Sequence, residues 1–247
     1  HDGRLVLFTE GGQGGGPGMA VYLRGTDGSQ AVRLGKGRAM ALSPDTRWAI
    51  GLSADELSPY LELLPTAVGE PRRLPGSDVV YTGAAWLPDG KRIVVSAVEP
   101  GHRARLYLQD LEQGPPTPLT PEGVTSWAVS PDGSTIAARG PTPTIRLYPV
   151  DGMASRELAG VTGREVPIGW IGDGVLVTRP DDPEAPRGEI YKVDIRTGRQ
   201  ESWKNILPRD PAGVMILVSF RVTPDGRSQA YTWHRALSNL YVAEGLE

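Results

Sequence analysis

The sequence predicts an all-β protein, a six-bladed β-propeller of four-stranded antiparallel blades, and three observations predict it. A turn signal recurs six times: HDG at 1–3, SPDT at 43–46, LPDG at 87–90, SPDG at 130–133, IGDG at 171–174 and TPDG at 223–226. Its aspartates, Asp2, Asp45, Asp89, Asp132, Asp173 and Asp225, follow one another at steps of 43, 44, 43, 41 and 52 residues, close to the period of propeller blades. The 32 glycines and 23 prolines among 247 residues are spread along the whole length, as many short strands joined by tight turns require.

Each repeat yields its strands in order. The innermost strand is the apolar stretch before the turn: AMAL, GAAW, SWAV, PIGW and SFRV. In the turn, proline presets φ, aspartate bonds the following amides and glycine takes the positive φ of a tight reversal. A second strand follows, such as RWAIGLS, RIVVSAV, TIAARG or SQAYTW, then a third, AVYLRG, YLELLP, RLYLQDL, IRLYPV, EIYKVDI or NLYVAEG. A second turn, TDG, VDG or RTG, leads to a weak fourth strand such as AVRLG, RRLPG or TPLTP. One such meander cannot bury both faces, whereas a ring of them packs sheet on sheet.

The blades fall at about 1–37, 38–80, 81–123, 124–164, 165–213 and 214–247, within one domain. In the innermost strand, the positions two and four before the turn proline carry mostly bulky apolar residues, which suit a blade interface. The position three before it carries Ala41, Ala85, Ala128 and Gly169, small residues that suit crowding near a ring axis; Arg221 breaks that rule. The first repeat starts at its turn and the last stops after its third strand. We therefore expect a fragment of a longer chain, with an upstream segment supplying the two strands that close the ring.

Composition excludes several functions. A net charge of -3 with scattered Lys and Arg gives no electrostatic footprint for nucleic acid or for direct contact with an anionic membrane. No apolar run approaches the roughly 20 residues of a membrane-spanning helix, and the first residues do not read as a secretory signal. Without cysteine there is no disulfide, thiolate metal site or cysteine nucleophile.

The SPDG-type turn, its apolar strand and the LY-containing strand resemble the WD-repeat-like propeller repeats of periplasmic TolB proteins and of prolyl-oligopeptidase-type peptidases. The first likeness implies a scaffold that recruits envelope proteins. The second implies catalysis only through a separate hydrolase domain with a G-x-S-x-G elbow, a pattern this chain lacks. Residues 223–247, TPDGRSQAYTWHRALSNLYVAEGLE, are similar to the end of extracytoplasmic propellers attached to bacterial eukaryotic-type serine/threonine kinases. That resemblance implies a periplasmic or extracellular sensor, tethered through an upstream membrane helix to a cytoplasmic kinase.

No catalytic, cofactor or metal site is expected. The three histidines, His1, His102 and His234, lie in no metal-type spacing. GGQGGGPG at 11–18 lacks the Lys-Ser/Thr of a phosphate loop and leads into a strand, so it reads as a loop. Asp181, Asp182, Glu184 and Glu189 lack the alternating spacing of a calcium loop. What remains is the rim opposite the turns, where a peptide, protein or small ligand would bind. Arg38, Glu165 and Arg221 near the channel mouth, with His102, Arg103 and Arg235 on the loops, are the candidate binding residues. The expected function is a non-catalytic binding or sensing module; a TolB-like scaffold and a propeller enzyme of lactonase or lyase type are the alternatives.

Overall fold

The computed structural model describes residues 2–11, 18–53, 59–75, 79–112, 114–179 and 188–236. Blade 1 comprises β1 (Leu5–Gly11), β2 (Met19–Gly25) and β3 (Val32–Lys36). Blade 2 comprises β4 (Arg38–Leu42), β5 (Trp48–Leu52), β6 (Leu61–Pro65) and β7 (Arg72–Arg73). Blade 3 has β8 (Val80–Trp86), β9 (Arg92–Val98), β10 (Arg105–Asp110) and β11 (Thr117–Pro118). Blade 4 has β12 (Ser126–Val129), β13 (Thr135–Arg139), β14 (Ile145–Pro149) and β15 (Arg156–Glu157). Blade 5 has β16 (Val166–Ile171), β17 (Gly174–Thr178), β18 (Glu189–Asp194) and β19 (Gln200–Asn205), and blade 6 has β20 (Val214–Val222) and β21 (Gln229–Arg235). Every pairing is antiparallel between neighbours in sequence, and the six sheets form a six-bladed propeller. The expected third strand of blade 6, NLYVAEG, lies outside the described residues.

The recurring turn is built on a hydroxyl residue as well as on Pro, Asp and Gly. The Ser43 hydroxyl donates to the Asp45 carboxylate (2.6 Å), which accepts the Arg47 amide (3.0 Å), while the Trp48 amide donates back to the Ser43 hydroxyl (2.9 Å). Ser130 with Asp132 and Thr223 with Asp225 repeat the arrangement. Those hydroxyl bonds first, then the amides, hold the three carboxyls below their usual range. Asp173 departs from the expected pattern. Ile171 pairs directly with Gly174, so Gly172 and Asp173 form a two-residue hairpin, and Asp173 pairs with Arg196 (3.1 Å) instead of capping the turn.

Thr46 stands where the other turns place glycine, at φ 60, beside Gly90, Gly133 and Gly226 at 67, 71 and 72. A β-branched residue is strained there, whereas glycine is not. Its amide bond to the Ser43 carbonyl (2.9 Å) would survive substitution. Thr46→Gly is therefore expected to stabilise by about 1 kcal/mol, net of the greater freedom of glycine in the unfolded chain. Thermal melting should register this as a rise of about 2–4 °C.

Among the described residues the core is divided among five blade interfaces. One apolar cluster joins blade 1 to blade 2 through Val21, Ala49 and Leu64. Larger ones join blades 2 and 3, 3 and 4, 4 and 5, and 5 and 6. Among the described residues no cluster joins blade 6 to blade 1. There, at the turn face, Gly3 lies so close to Ser228 that a Cβ added to it would meet the Ser228 hydroxyl at 2.5 Å.

The small residues of the innermost strands face the next blade. A Cβ on Gly169 would make ordinary contact, 3.6 Å from Val222 and 3.9 Å from Phe220, and Ala128 packs with Trp170 of the following blade. Arg221 faces toward blade 1, from which the described residues offer no innermost strand to press on it.

Candidate functional site

The strand directions separate the candidate residues into two ends of the channel. Arg38 opens β4 and is exposed, paired in the ladder with Leu52. Glu165 precedes β16, and Arg235 closes β21 opposite Val214. These three belong to the rim opposite the turns. Arg221 does not share that mouth with Arg38 and Glu165: it lies next to last in β20, paired with Ala230 and one residue from the turn, at the far end of the strand.

Glu165, expected as an open rim group, is 1 % exposed and is the hub of a polar cluster. Its carboxylate accepts the Thr162 amide (2.8 Å), the Thr162 hydroxyl (3.1 Å), Arg179 Nε (3.1 Å) and Gln200 Nε2 (3.3 Å). Arg179 also donates to Gln200 Oε1 (2.6 Å) and stacks 4.4 Å from the Tyr191 ring centre, while Gln200 reaches the Gly160 carbonyl. Burial pushes the Glu165 pKa up, and the bonds from Thr162 and Gln200 outweigh it, so the net shift is downward. Three strands and a loop are tied at this point.

His102 and Arg103 do come together, in the loop between β9 and β10. His102 Nδ1 lies 2.8 Å from Glu122 Oε1, and the Arg103 amide donates to Glu122 Oε2 (3.3 Å). Beside them Glu99 accepts Arg105 Nη2 (2.5 Å) and the Tyr107 hydroxyl (2.7 Å). Val79, Pro100, Pro116, Pro118 and Tyr107 wall a groove of about 360 Å³ edged by Glu99 and His102. A second groove, about 440 Å³, lies on blade 4 between Ser126, Arg139 and the Gly140–Pro143 loop. The loop at 119–125 bridges them, since Glu122 meets His102 and a Cβ on Gly123 would lie 3.2 Å from Pro141.

The groove carboxylates are held ionised. Bonds from Tyr107 and then Arg105 keep Glu99 below its usual range, and the Arg103 amide and His102 do the same for Glu122. Desolvation raises the Tyr107 hydroxyl. Arg235, by contrast, is occupied in tying Asp210 (3.2 Å) to β21. Glu99, Arg105, Tyr107 and Glu122 were not singled out from sequence; the one signal was the alternation of charge around the β9–β10 hairpin.

Arg221 has no carboxylate partner among the described residues; its guanidinium donates to the Phe220 carbonyl (2.8 Å). The side chain keeps contact with solvent at the axis, yet the protein surrounding it lowers its pKa by desolvation. Of the other loops singled out, residues 12–17 and 180–187, with Asp181, Asp182 and Glu184, lie outside the described residues. Glu189 is described and accepts the Ser202 hydroxyl. Among the described residues no three His, Asp or Glu side chains converge in a way that could hold a metal ion, and no helix is long and apolar enough to cross a membrane.

The antiparallel meanders, their ring order and their turns define a six-bladed β-propeller. No family model matches the chain. Among solved structures, TolB from Acinetobacter baumannii is similar at a TM-score of 0.69 and 19 % identity, over 92 % of this chain and 57 % of that one. A putative TolB from Agrobacterium tumefaciens gives 0.66 and 14 %, over 93 % and 79 %. An oligogalacturonate lyase in complex with manganese gives 0.62 and 19 %, over 91 % and 66 %. At these identities the likeness is one of fold. The chain spans 57 % of the length of the first and 66 % of the last.

Proposed function

We propose that this propeller is a non-catalytic protein-binding module that grips its partner along the rim of blades 3 and 4. The observation that carries the reading is the blade 3 groove. Its walls are apolar, and each polar group at its edge is already matched within the protein: Glu99 by Arg105 and Tyr107, His102 by Glu122. A general acid needs a carboxyl raised toward neutrality, and a nucleophile needs an adjacent base. Carboxylates held down by fixed donors suit recognition better. The TolB-like fold supports a protein partner. An extracytoplasmic position, and attachment to a membrane-anchored serine/threonine kinase as its sensing end, belong to the same proposal and rest on the resemblance of residues 223–247.

The immobilised propeller, exposed to an envelope extract, should retain a defined set of proteins, identified by mass spectrometry. His102→Ala with Arg103→Glu, both exposed, should lower that retention at least tenfold, while Arg227→Ala on the turn face should leave it unchanged. Equal retention by all three proteins would refute the rim. The lyase reading is met separately: incubation with oligogalacturonate and Mn²⁺ should produce no unsaturated product, and its appearance would make the chain an enzyme.

A further inference from the structure

β13 ends in a charge where its counterparts do not. Seven residues after the turn aspartate, blades 2 and 3 place Leu52 and Ser96, both buried, whereas blade 4 places Arg139, which is half-buried. Arg139 lies opposite Ser126 in the β12–β13 ladder, so the two side chains stand beside each other on one face of the sheet. Its Nη2 donates to the Gly163 carbonyl (3.1 Å), and among the described residues it has no carboxylate partner. Glu165, the one acid in the 159–165 loop that Arg139 touches, is engaged by Arg179 instead. The Ser126 hydroxyl also makes no hydrogen bond among the described residues. Both side chains line the blade 4 groove of about 440 Å³, whose other wall is the Gly140–Pro143 loop. Packing sets the position of that loop at both ends. A Cβ on Gly123 would lie 3.2 Å from Pro141, and one on Gly163 would lie 2.5 Å from the Pro143 carbonyl oxygen. Within the loop the Thr142 and Thr144 hydroxyls bond each other (3.1 Å).

We propose that this groove binds a small polyhydroxy monocarboxylic acid, with its carboxylate on Arg139 and its hydroxyls on Ser126 and Thr142. The chemistry follows from the lining. A guanidinium drawn partly out of water without an anion is costly, and a carboxylate is the anion its planar fork fits. The bond to Gly163 uses one of its five N–H donors and fixes its orientation, which leaves donors for both oxygens of a carboxylate. Arg139 is the one charged residue lining the groove, so the charge matched is a single negative one. A phosphate monoester, at about 1.5 to 2 negative charges near neutrality, would be left partly uncompensated. The remaining polar groups are hydroxyls, those of Thr125, Ser126 and Thr142, which both donate and accept and so pair with hydroxyls of a ligand. The volume lies in the range of small-molecule sites. This ligand is additional to the protein partner assigned to the rim, and its site is built from different side chains.

The test titrates residues 1–247 with D-gluconate and follows amide chemical shifts. D-sorbitol, which carries CH₂OH in place of the carboxylate, and acetate, which lacks the hydroxyls, are the two comparisons. Gluconate is expected to shift the amides of Ser126, Arg139 and Gly140 and to bind at least tenfold more tightly than either. Arg139→Gln, which can still donate to the Gly163 carbonyl, should erase the preference for gluconate over sorbitol, and Arg139→Lys should retain part of it. Ser126→Ala, which removes no hydrogen bond from the described protein, should weaken gluconate severalfold, and Arg227→Gln on the turn face should change nothing. Equal binding of gluconate and sorbitol would overturn the proposal, as would gluconate binding that Arg139→Gln leaves intact. Inorganic phosphate binding as tightly as gluconate would overturn the match to a single charge. A tripeptide with a free C-terminal carboxylate that binds more tightly than gluconate would overturn the small acid in favour of a chain terminus. None of these variants alters His102 or Arg103, so this result and the rim reading stand or fall separately.

Discussion

Glu165→Ala is expected to destabilise the protein by about 3 kcal/mol, the lower end of what removing one partner from a buried ion pair costs. The side chain is 1 % exposed, and its loss strands the Thr162 amide and leaves Arg179, whose side chain is 21 % exposed, with Gln200 and the face of Tyr191. Those two contacts keep the cost from the upper end. For a chain of this length the loss should lower the melting temperature by about 6–12 °C. Glu165→Gln keeps the shape but turns two amide protons toward donors, so a loss of about 1–2 kcal/mol is expected. The pH dependence separates charge from shape. The folded pKa of Glu165 lies below its ordinary 4.5, so its contribution is present above that pH and is lost as pH falls through the folded value. The Gln variant should lack that part of the acid limb in melts taken from pH 6 downward; an unchanged limb would show that Glu165 adds nothing to acid stability.

Trp170→Ala is the second large effect, at about 3–5 kcal/mol. Its indole is 4 % exposed, packs on Ala128, Ala137, Ile145 and Leu147 of the preceding blade, and donates from Nε1 to the Ala128 carbonyl at 2.9 Å. Trp86 holds the equivalent place in blade 3, but its Nε1 is buried without an acceptor among the described residues. Phenylalanine at either site loses similar volume, and only at 170 does it also remove a hydrogen bond. Trp170→Phe should therefore exceed Trp86→Phe by about 1 kcal/mol in denaturant unfolding. Equal losses would mean that the indole bond is energetically silent.

The ring was legible because its signal is chemical and local. A tight reversal needs Pro, Asp and Gly at fixed offsets, and six copies set the register of everything between them. The hydroxyl of Ser43, Ser130 and Thr223 was present in the same tetrapeptides, yet its double role appears only once the hydroxyl is seen between the carboxylate and an amide five residues on. Leu87, in the corresponding place in LPDG, has no hydroxyl, and Asp89 is held there by the Lys91 and Arg92 amides instead. The IGDG tetrapeptide misled because its glycine and aspartate could fill either a four-residue turn or a two-residue hairpin, and the ladder from Ile171 to Gly174 selects the hairpin.

The site was less legible. Glu165 was singled out, but its partners lie 3, 14 and 35 residues away, and nothing local brings Thr162, Arg179 and Gln200 onto one carboxylate. Arg221 was singled out as an exception, and that observation holds. Its placement required knowing that this position faces the following blade. The register shifts in β4, β8, β16 and β20 left no trace, since the residues they displace, such as Met40, Thr82 and Ile168, are ordinary strand formers.

Among the described residues each of five apolar clusters joins one blade to the next in sequence, so blades 3 and 4 are braced from both sides. A segment packed against neighbours on both faces opens only at high free energy, and the grooves on blades 3 and 4 sit on such a segment, a rigid platform and not a yielding one.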